Sequence, residues 1–479
     1  MNYKMIRYTL GWLLLFEAAF FLLPIITGLI YGERATLGFV WSLLITGAIG
    51  VAATVKKPRT TVLFSRDGFV IVGLSWVLLS LFGMLPFLFT GVITSPVDAF
   101  FETASGFTTT GATVFTEVES LPKCILLWRS FTHWVGGMGV LVFIMAFLPL
   151  GGGHNINIMK AESPGPSVSK LVPRVRTTAL ILYVLYFAMT LMLIILLLIG
   201  GNSLFSSINV ALSTAGTGGF GIDNDSLASY STFSQITVTV FMLLFSLNFT
   251  SYYLALKGRG KEFFSEEIRA FIIIVATVIT VITLDTLHNG IYAAFPEALK
   301  HAAFNVSSLI STTGFSSWDF NEWPNLSRTL LVLVMFVGAC AGSTGGGMKV
   351  SRMIILAKGM ARELRMTVHP RQVKKITMDK HTVEHETVRS VNAYVVCFVV
   401  VYVLSVIVLS FDKTDLVTNF TAVAATINNI GLGLEGVGPS GSFSIFSPAS
   451  KLMLSFDMIA GRLELFPMLI LFSPATYKK

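Results

Sequence analysis

The sequence predicts an all-α polytopic membrane protein, and three observations carry that prediction. Of 479 residues, 53% are hydrophobic and only 13% charged, against roughly 25% charged in an ordinary soluble domain. Apolar stretches of membrane-crossing character recur along the whole chain, at residues 12–30, 69–88, 125–150, 179–199, 271–284 and 393–409. One larger pattern then occurs four times: a spanning helix, a short segment rich in small residues, a Gly-rich loop, and another spanning helix.

The elements follow in order. Residues 1–60 hold two extra spanning helices, at about 8–30 and 38–55, and the absence of a small-residue cleavage site predicts that the first is retained. Repeat 1 occupies 61–150, repeat 2 170–258, and repeat 3 265–360 with a broken second helix. A polar linker at 361–388 leads to repeat 4 at 389–479. The formal charge is +8, but its distribution argues against nucleic acid. Most of the bases fall in segments on one side: Lys4/Arg7, Lys56–Arg66, Lys160–Arg176, Lys257–Arg269, Lys349–Arg389 and Lys478/Lys479. That asymmetry predicts a cytoplasmic N-terminus by the positive-inside rule. The other side carries Glu117, Glu119, Asp223, Asp225, Asp319, Glu322 and Glu435, an acidic face able to concentrate cations.

The loops read FTTTGATV from Phe107, STAGTGGFG from Ser213, STTGFSS from Ser311 and NNIGLGLEG from Asn428. Aligned, they place Gly111, Gly219, Gly314 and Gly431 at one equivalent point, spaced by about 100 residues. The segments before them, such as DAFFETASG and TNFTAVAATI, are too short to span and suit re-entrant pore helices. Irregular backbone at membrane depth is tolerated only inside protein or along a water-filled path. Four such loops around an axis would offer a ring of hard oxygen ligands for a dehydrated alkali ion. The expected ion-facing residues are Thr109, Thr110 and Gly111; Thr217, Gly218 and Gly219; Thr312, Thr313 and Gly314; and Asn429, Ile430 and Gly431.

A second constellation lies in repeat 3. An apolar helix from Leu330 breaks at Gly342, Ser343, Thr344, Gly345, Gly346 and Gly347, then resumes from Met348. That many glycines and small hydroxyls cannot sustain a helix unaided. Arg462 is read as the only base within a spanning helix, and neither Asp457 nor Glu464 shares its helical stripe. Helix-end carbonyls are the alternative partners. Lys349 is expected to be a cytoplasmic-side anchor or hinge.

These loops, with AGSTGGGMKV (341–350) and AGRLELFP (460–467), resemble the TrkH/KtrB/HKT superfamily of potassium transporters over essentially the whole chain. The two extra helices make the resemblance greatest to the TrkH type. It implies four membrane–pore–membrane repeats with pseudo-fourfold symmetry around one pore. In sodium-preferring plant HKT relatives the first filter glycine is serine; Gly111 here implies potassium. The resemblance also implies that residues 342–347 form an intramembrane loop obstructing the pore below the filter, and that Arg462 bars the pore with it. A TrkA-like cytoplasmic nucleotide-binding ring, a homodimer and a bacterial cytoplasmic (inner) membrane location are implied as well. Residues 358–389 and 257–269 are candidate docking surfaces for the ring.

Enzymatic readings find little. The seven histidines (133, 154, 288, 301, 369, 381 and 385) show no HExxH arrangement. A helix could present His381 and His385 on one face, in a solvated linker. The GxGxxG-like pieces lack the strand and downstream acid of a nucleotide fold, so no cofactor is expected for this chain. Cys124, Cys340 and Cys397 offer neither a disulfide framework nor metal-ligand spacing. The remaining alternative is a secondary transporter coupling K+ to H+ or Na+; four repeats of like topology, in place of an inverted pair, favour a pore.

Overall fold

The computed structural model describes residues 1–58, 63–139, 175–370 and 375–477. The end of the apolar stretch at 140–150, His154, and the bases Arg59, Lys160, Lys170, Arg174, Lys478 and Lys479 lie outside the described residues. One helical hairpin opens the molecule: Tyr3–Phe20 continuing as Leu22–Ile30, then Thr36–Thr54. The first helices of the repeats are Ser65–Gly83 with Leu85–Thr90, Val175–Ile199, Glu266–His288 and His385–Leu409. With the N-terminal pair they make six helices, among the described residues, long and apolar enough to cross a membrane. Their exposed faces carry large apolar side chains, among them Val184, Ile195, Ile273 and Val400. Polar and small groups point inward, the distribution that suits a lipid solvent.

Each repeat then contains a short pore helix whose C-terminal part is buried: Pro96–Phe107, Leu204–Gly216, Phe295–Ile310 and Leu416–Ile427. Ser95, Ser203 and Asp415 cap three of them by accepting a backbone N–H with the side chain, while Pro296 pre-sets the start of the other. The second helices are Lys123–Gly137, Thr232–Phe245, Asn325–Val337 and Pro448–Arg462. All four stop short of a full crossing. The second turns through 91° into Phe249–Leu256, and the fourth resumes as Phe466–Phe472 after Glu464 and Leu465 at positive φ. A break was expected in repeat 3 alone; among the described residues the second helices of repeats 2 and 4 are broken as well. In repeat 3 it begins at Gly338, before the expected Gly342, and the helix resumes at Val350.

That resumed helix runs to Val368, across the expected repeat–linker boundary. Two short strands follow, Thr377–Met378 and His381–Thr382, paired antiparallel. His381 therefore lies in a strand and His385 opens a helix, so no single helix presents both.

The repeats close into a ring. In the segments that follow the pore helices, Val118 N donates to Asn224, joining repeats 1 and 2. Leu227 N donates to Ser316 O, joining 2 and 3. Glu435 N donates to Asn321, joining 3 and 4, and Phe443 N donates to Thr113 O, joining 4 back to 1. The N-terminal pair packs against repeat 1, where Phe21, Phe39 and Phe107 surround Trp128 and its indole donates to Gly83 O.

Candidate ion pore

Every pore helix ends in the same way. The residue two before the filter glycine is left-handed: Thr109 (φ 56°), Thr217 (55°), Thr312 (61°) and Asn429 (55°). The next N–H reaches back five residues, from Thr110 to Ser105, Gly218 to Ser213, Thr313 to Ser308 and Ile430 to Ala425, at 2.7–2.9 Å. With the bonds from 109, 217, 312 and 429 to the carbonyls three residues before, this is a Schellman termination. A left-handed β-branched residue is a genuine outlier. Three threonines in that state at equivalent points mark strain held by a common design. The filter glycines are left-handed too, at φ 77–86°, with residues 110, 218, 313 and 430 between at negative φ. Backbone that alternates hand turns successive peptide groups toward one side.

Four close approaches define the ring. A methyl group built on Gly111 would lie 1.9 Å from Gly218 O; on Gly219, 2.1 Å from Thr313 O; on Gly314, 2.0 Å from Ile430 O; and on Gly431, 2.3 Å from Thr110 O. Each glycine thus faces the carbonyl preceding the glycine of the next repeat, and the fourth closes on the first. Side chains reinforce the ring, since Asn429 Nδ2 donates to Thr110 Oγ1 at 3.0 Å and to Met458 O at 2.8 Å.

Behind the ring of glycines lies a buried ion pair, Glu102 with Arg129 at 2.8 Å. Glu102 also accepts from Thr113 Oγ1 and Val114 N, while Arg129 reaches Gly221 O in repeat 2 and stacks on Phe220 at 4.1 Å. Arg129 lies within the second helix of repeat 1, and Lys451, paired with Asp98, within that of repeat 4. Arg462 is therefore not the only base in a spanning helix. A charge in each of two neighbouring segments of one repeat was the available signal, and pairing hides it from hydropathy. Glu102→Ala leaves a buried guanidinium unpaired and should cost roughly 3–5 kcal/mol; the check is a lower thermal transition of the purified protein, and an unshifted one counts against the clamp.

Residues 338–349 cross beneath the ring. Gly346 N donates to Thr312 Oγ1 at 2.6 Å, and a methyl group on Gly346 would lie 2.4 Å from Asn428 O. On the repeat 2 side, Cys340 N donates to Ser246 O and Thr344 Oγ1 to Phe245 O. Glu267 accepts from Ala341 N and Ser351 N, holding both ends of the loop. Arg462 donates to Thr344 O at 2.8 Å, and to Gly136 O and Gly137 O at 2.5 and 2.7 Å. It joins the loop to the end of the repeat 1 helix, so helix-end and loop carbonyls are both its partners. Glu464 pairs with Arg352, and Asp457 accepts from Ser405. Lys349 is buried at positive φ, and its ammonium donates to Gly345 O. It fastens the loop from within and is no surface anchor. Through these contacts the loop and Arg462 reach all four repeats directly below the ring.

Several of the acids expected on the outer face already have partners: Glu119 accepts from Asn224 N, Asp223 from Tyr230, Asp319 from Ser440, and Glu435 pairs with Arg328. Residues 32–477 match the TrkH family, described as cation transport protein. The chain belongs to that family. It is 35% identical over 486 residues to the Trk system potassium uptake protein TrkH of Vibrio parahaemolyticus serotype O3:K6, with 100% of both chains covered. It is 33% identical to the TrkH of Salmonella typhimurium, again over 100% of both, and 32% identical to the TrkG of Escherichia coli K12 over 98% of each. The crystal structure of the potassium transporter TrkH from Vibrio parahaemolyticus superposes with a TM-score of 0.90 over 100% of both chains, at 33% identity. The TrkH family is one of transport proteins, not enzymes.

Proposed function

We propose that this chain is the potassium-conducting subunit of an uptake system in a bacterial cytoplasmic membrane. The observation that carries the reading is the closed ring of Gly111, Gly219, Gly314 and Gly431 against neighbouring carbonyls. Such a ring can exchange an ion's hydration shell for backbone oxygens. Potassium is favoured because glycine stands at all four points and the relatives bear potassium-uptake names. Reversal potentials of the purified protein in liposomes under K+/Na+ gradients test this: they should follow the potassium gradient, and reversal at the sodium potential would sink the reading.

Residues 342–347 with Arg462 are the proposed gate, supported by their contacts to all four repeats. A TrkA-like ring is the proposed regulator, and two copies of the chain the proposed assembly. The ring's docking surface is the hairpin at 377–382 and its neighbours. Glu266 ties that hairpin to the first helix of repeat 3: its N–H donates to the Asp379 carboxylate, its own carboxylate accepts from Asp379 N, and it pairs with Lys358, which donates to Thr377 O. The adjacent Glu267 grips the gate loop, so displacement of the hairpin has a short mechanical route to it. In the proposed orientation the N-terminus and this hairpin are cytoplasmic and Asp319–Glu322 external. Single cysteines at Lys380 and Glu322 should label only from those respective sides, and the reverse pattern would invert the topology.

A further inference from the structure

The residue before the filter glycine carries a side chain in three repeats (Thr110, Thr313 and Ile430) but is Gly218 in the second. Gly218 does not occupy the left-handed region, so its backbone does not call for glycine. What excludes a side chain is His133. A methyl group on Gly218 would lie 2.2, 2.3 and 2.5 Å from Nδ1, Cγ and Cε1 of that ring. His133 belongs to the second helix of repeat 1 and is fully buried, and a methyl group on Gly216 would lie 2.2 Å from its carbonyl oxygen. It also stacks on Phe220 at 4.2 Å and 17°, and Phe220 follows Gly219 directly. The ring is thus wedged against the residues before and after the filter glycine. Neither ring nitrogen has a hydrogen-bond partner among the described residues, so the imidazole acts here by shape and stacking.

We infer that His133 is a specificity-determining positioning residue of the second filter strand. Its ring supplies from repeat 1 the bulk that Thr110, Thr313 and Ile430 supply from their own strands. It thereby holds Gly218 O at the radius the Gly111 contact requires. The inference rests on the reading of the four loops as the selectivity filter. It adds an asymmetry to that reading: one quarter of the ring is braced by a neighbouring repeat.

The test compares K+/Na+ permeability ratios of the full chain in liposomes for His133→Ala, Gly218→Thr and the double variant, with Gly111→Ser alongside. His133→Ala leaves a ring-sized void behind the strand, and a roughly tenfold fall in the ratio is expected, with potassium still conducted. Gly218→Thr alone meets the imidazole and should lose transport. The double variant converts the strand to the form of the other three and should recover a ratio within about threefold of the parent. A ratio unchanged by His133→Ala but lowered by Gly111→Ser overturns the inference and leaves the filter reading standing. A double variant no more selective than His133→Ala also overturns it. If His133→Ala does not assemble, the double decides: assembly with a parent-like ratio supports the brace, and failure to assemble rejects it. No change with Gly111→Ser removes the filter reading itself, and the inference with it.

Discussion

Removal of residues 342–347 should raise potassium flux through the unregulated protein roughly tenfold or more, with ion selectivity retained. The loop lies under the filter and touches repeats 2, 3 and 4, and Arg462 carries the contact to repeat 1. Together the loop and Arg462 engage all four repeats beneath the ring, the placement that the proposed gate requires. The loop's own grip is a set of backbone bonds and two cations, the buried Lys349 and the partly buried Arg462, on the carbonyls of Gly345 and Thr344. In the proposed gate those cations would act twice, holding the loop and repelling ions below the ring. A unit charge about 5 Å from a passing cation costs it roughly 3 kcal/mol at an effective dielectric of about 20. Arg462→Ala should therefore increase flux in the same direction as the deletion and free three carbonyls that now fix the loop. A packing role predicts the opposite result, lower yield with no gain in flux. Flux measured by potassium-dependent dye quenching in liposomes, normalised to folded protein, separates the two.

Gly111→Ser should lower the K+/Na+ permeability ratio by roughly tenfold, with a backbone cost of about 1–3 kcal/mol at positive φ as one contribution. The larger contribution is steric. The new Cβ would stand 1.9 Å from Gly218 O, so either the carbonyl leaves the ring or the strand carrying residue 111 does. Either movement alters the oxygen cage on which discrimination rests. Gly91→Ser is the control: Gly91 is also left-handed, at φ 73°, but a Cβ there has nothing within 4 Å. It bears the backbone cost without the collision and should leave the ratio at the parent value. Equal ratios for both variants would remove Gly111 from the filter.

The pore helices, the four aligned glycines and the N-terminal helix pair were legible because each is a local statement. Segment length separates a spanning helix from a re-entrant one, and glycine marks where the backbone must turn left-handed. The break in repeat 3 was legible for the same reason, since its glycines are contiguous. The breaks in the second helices of repeats 2 and 4 were not, because residues 246–248 and 463–465 carry no glycine or proline run. Arg129 escaped notice because its charge is spent on Glu102, a residue 27 positions away in a segment dominated by small and apolar side chains.

By itself the sequence determined that this is a membrane protein of four like repeats, each with a loop able to present oxygen ligands, and one with a helix that cannot run through. Those properties depend on composition, periodicity and backbone freedom, all of which are written residue by residue. Only the tertiary structure decided that Gly111 answers to Gly218, Gly431 to Thr110, Arg462 to Gly136 and Gly218 to His133. Each of these pairs joins different repeats, up to about 326 positions apart in the chain. No local preference encodes them; they exist because lipid-facing helices force the small and polar faces inward until four repeats share one axis.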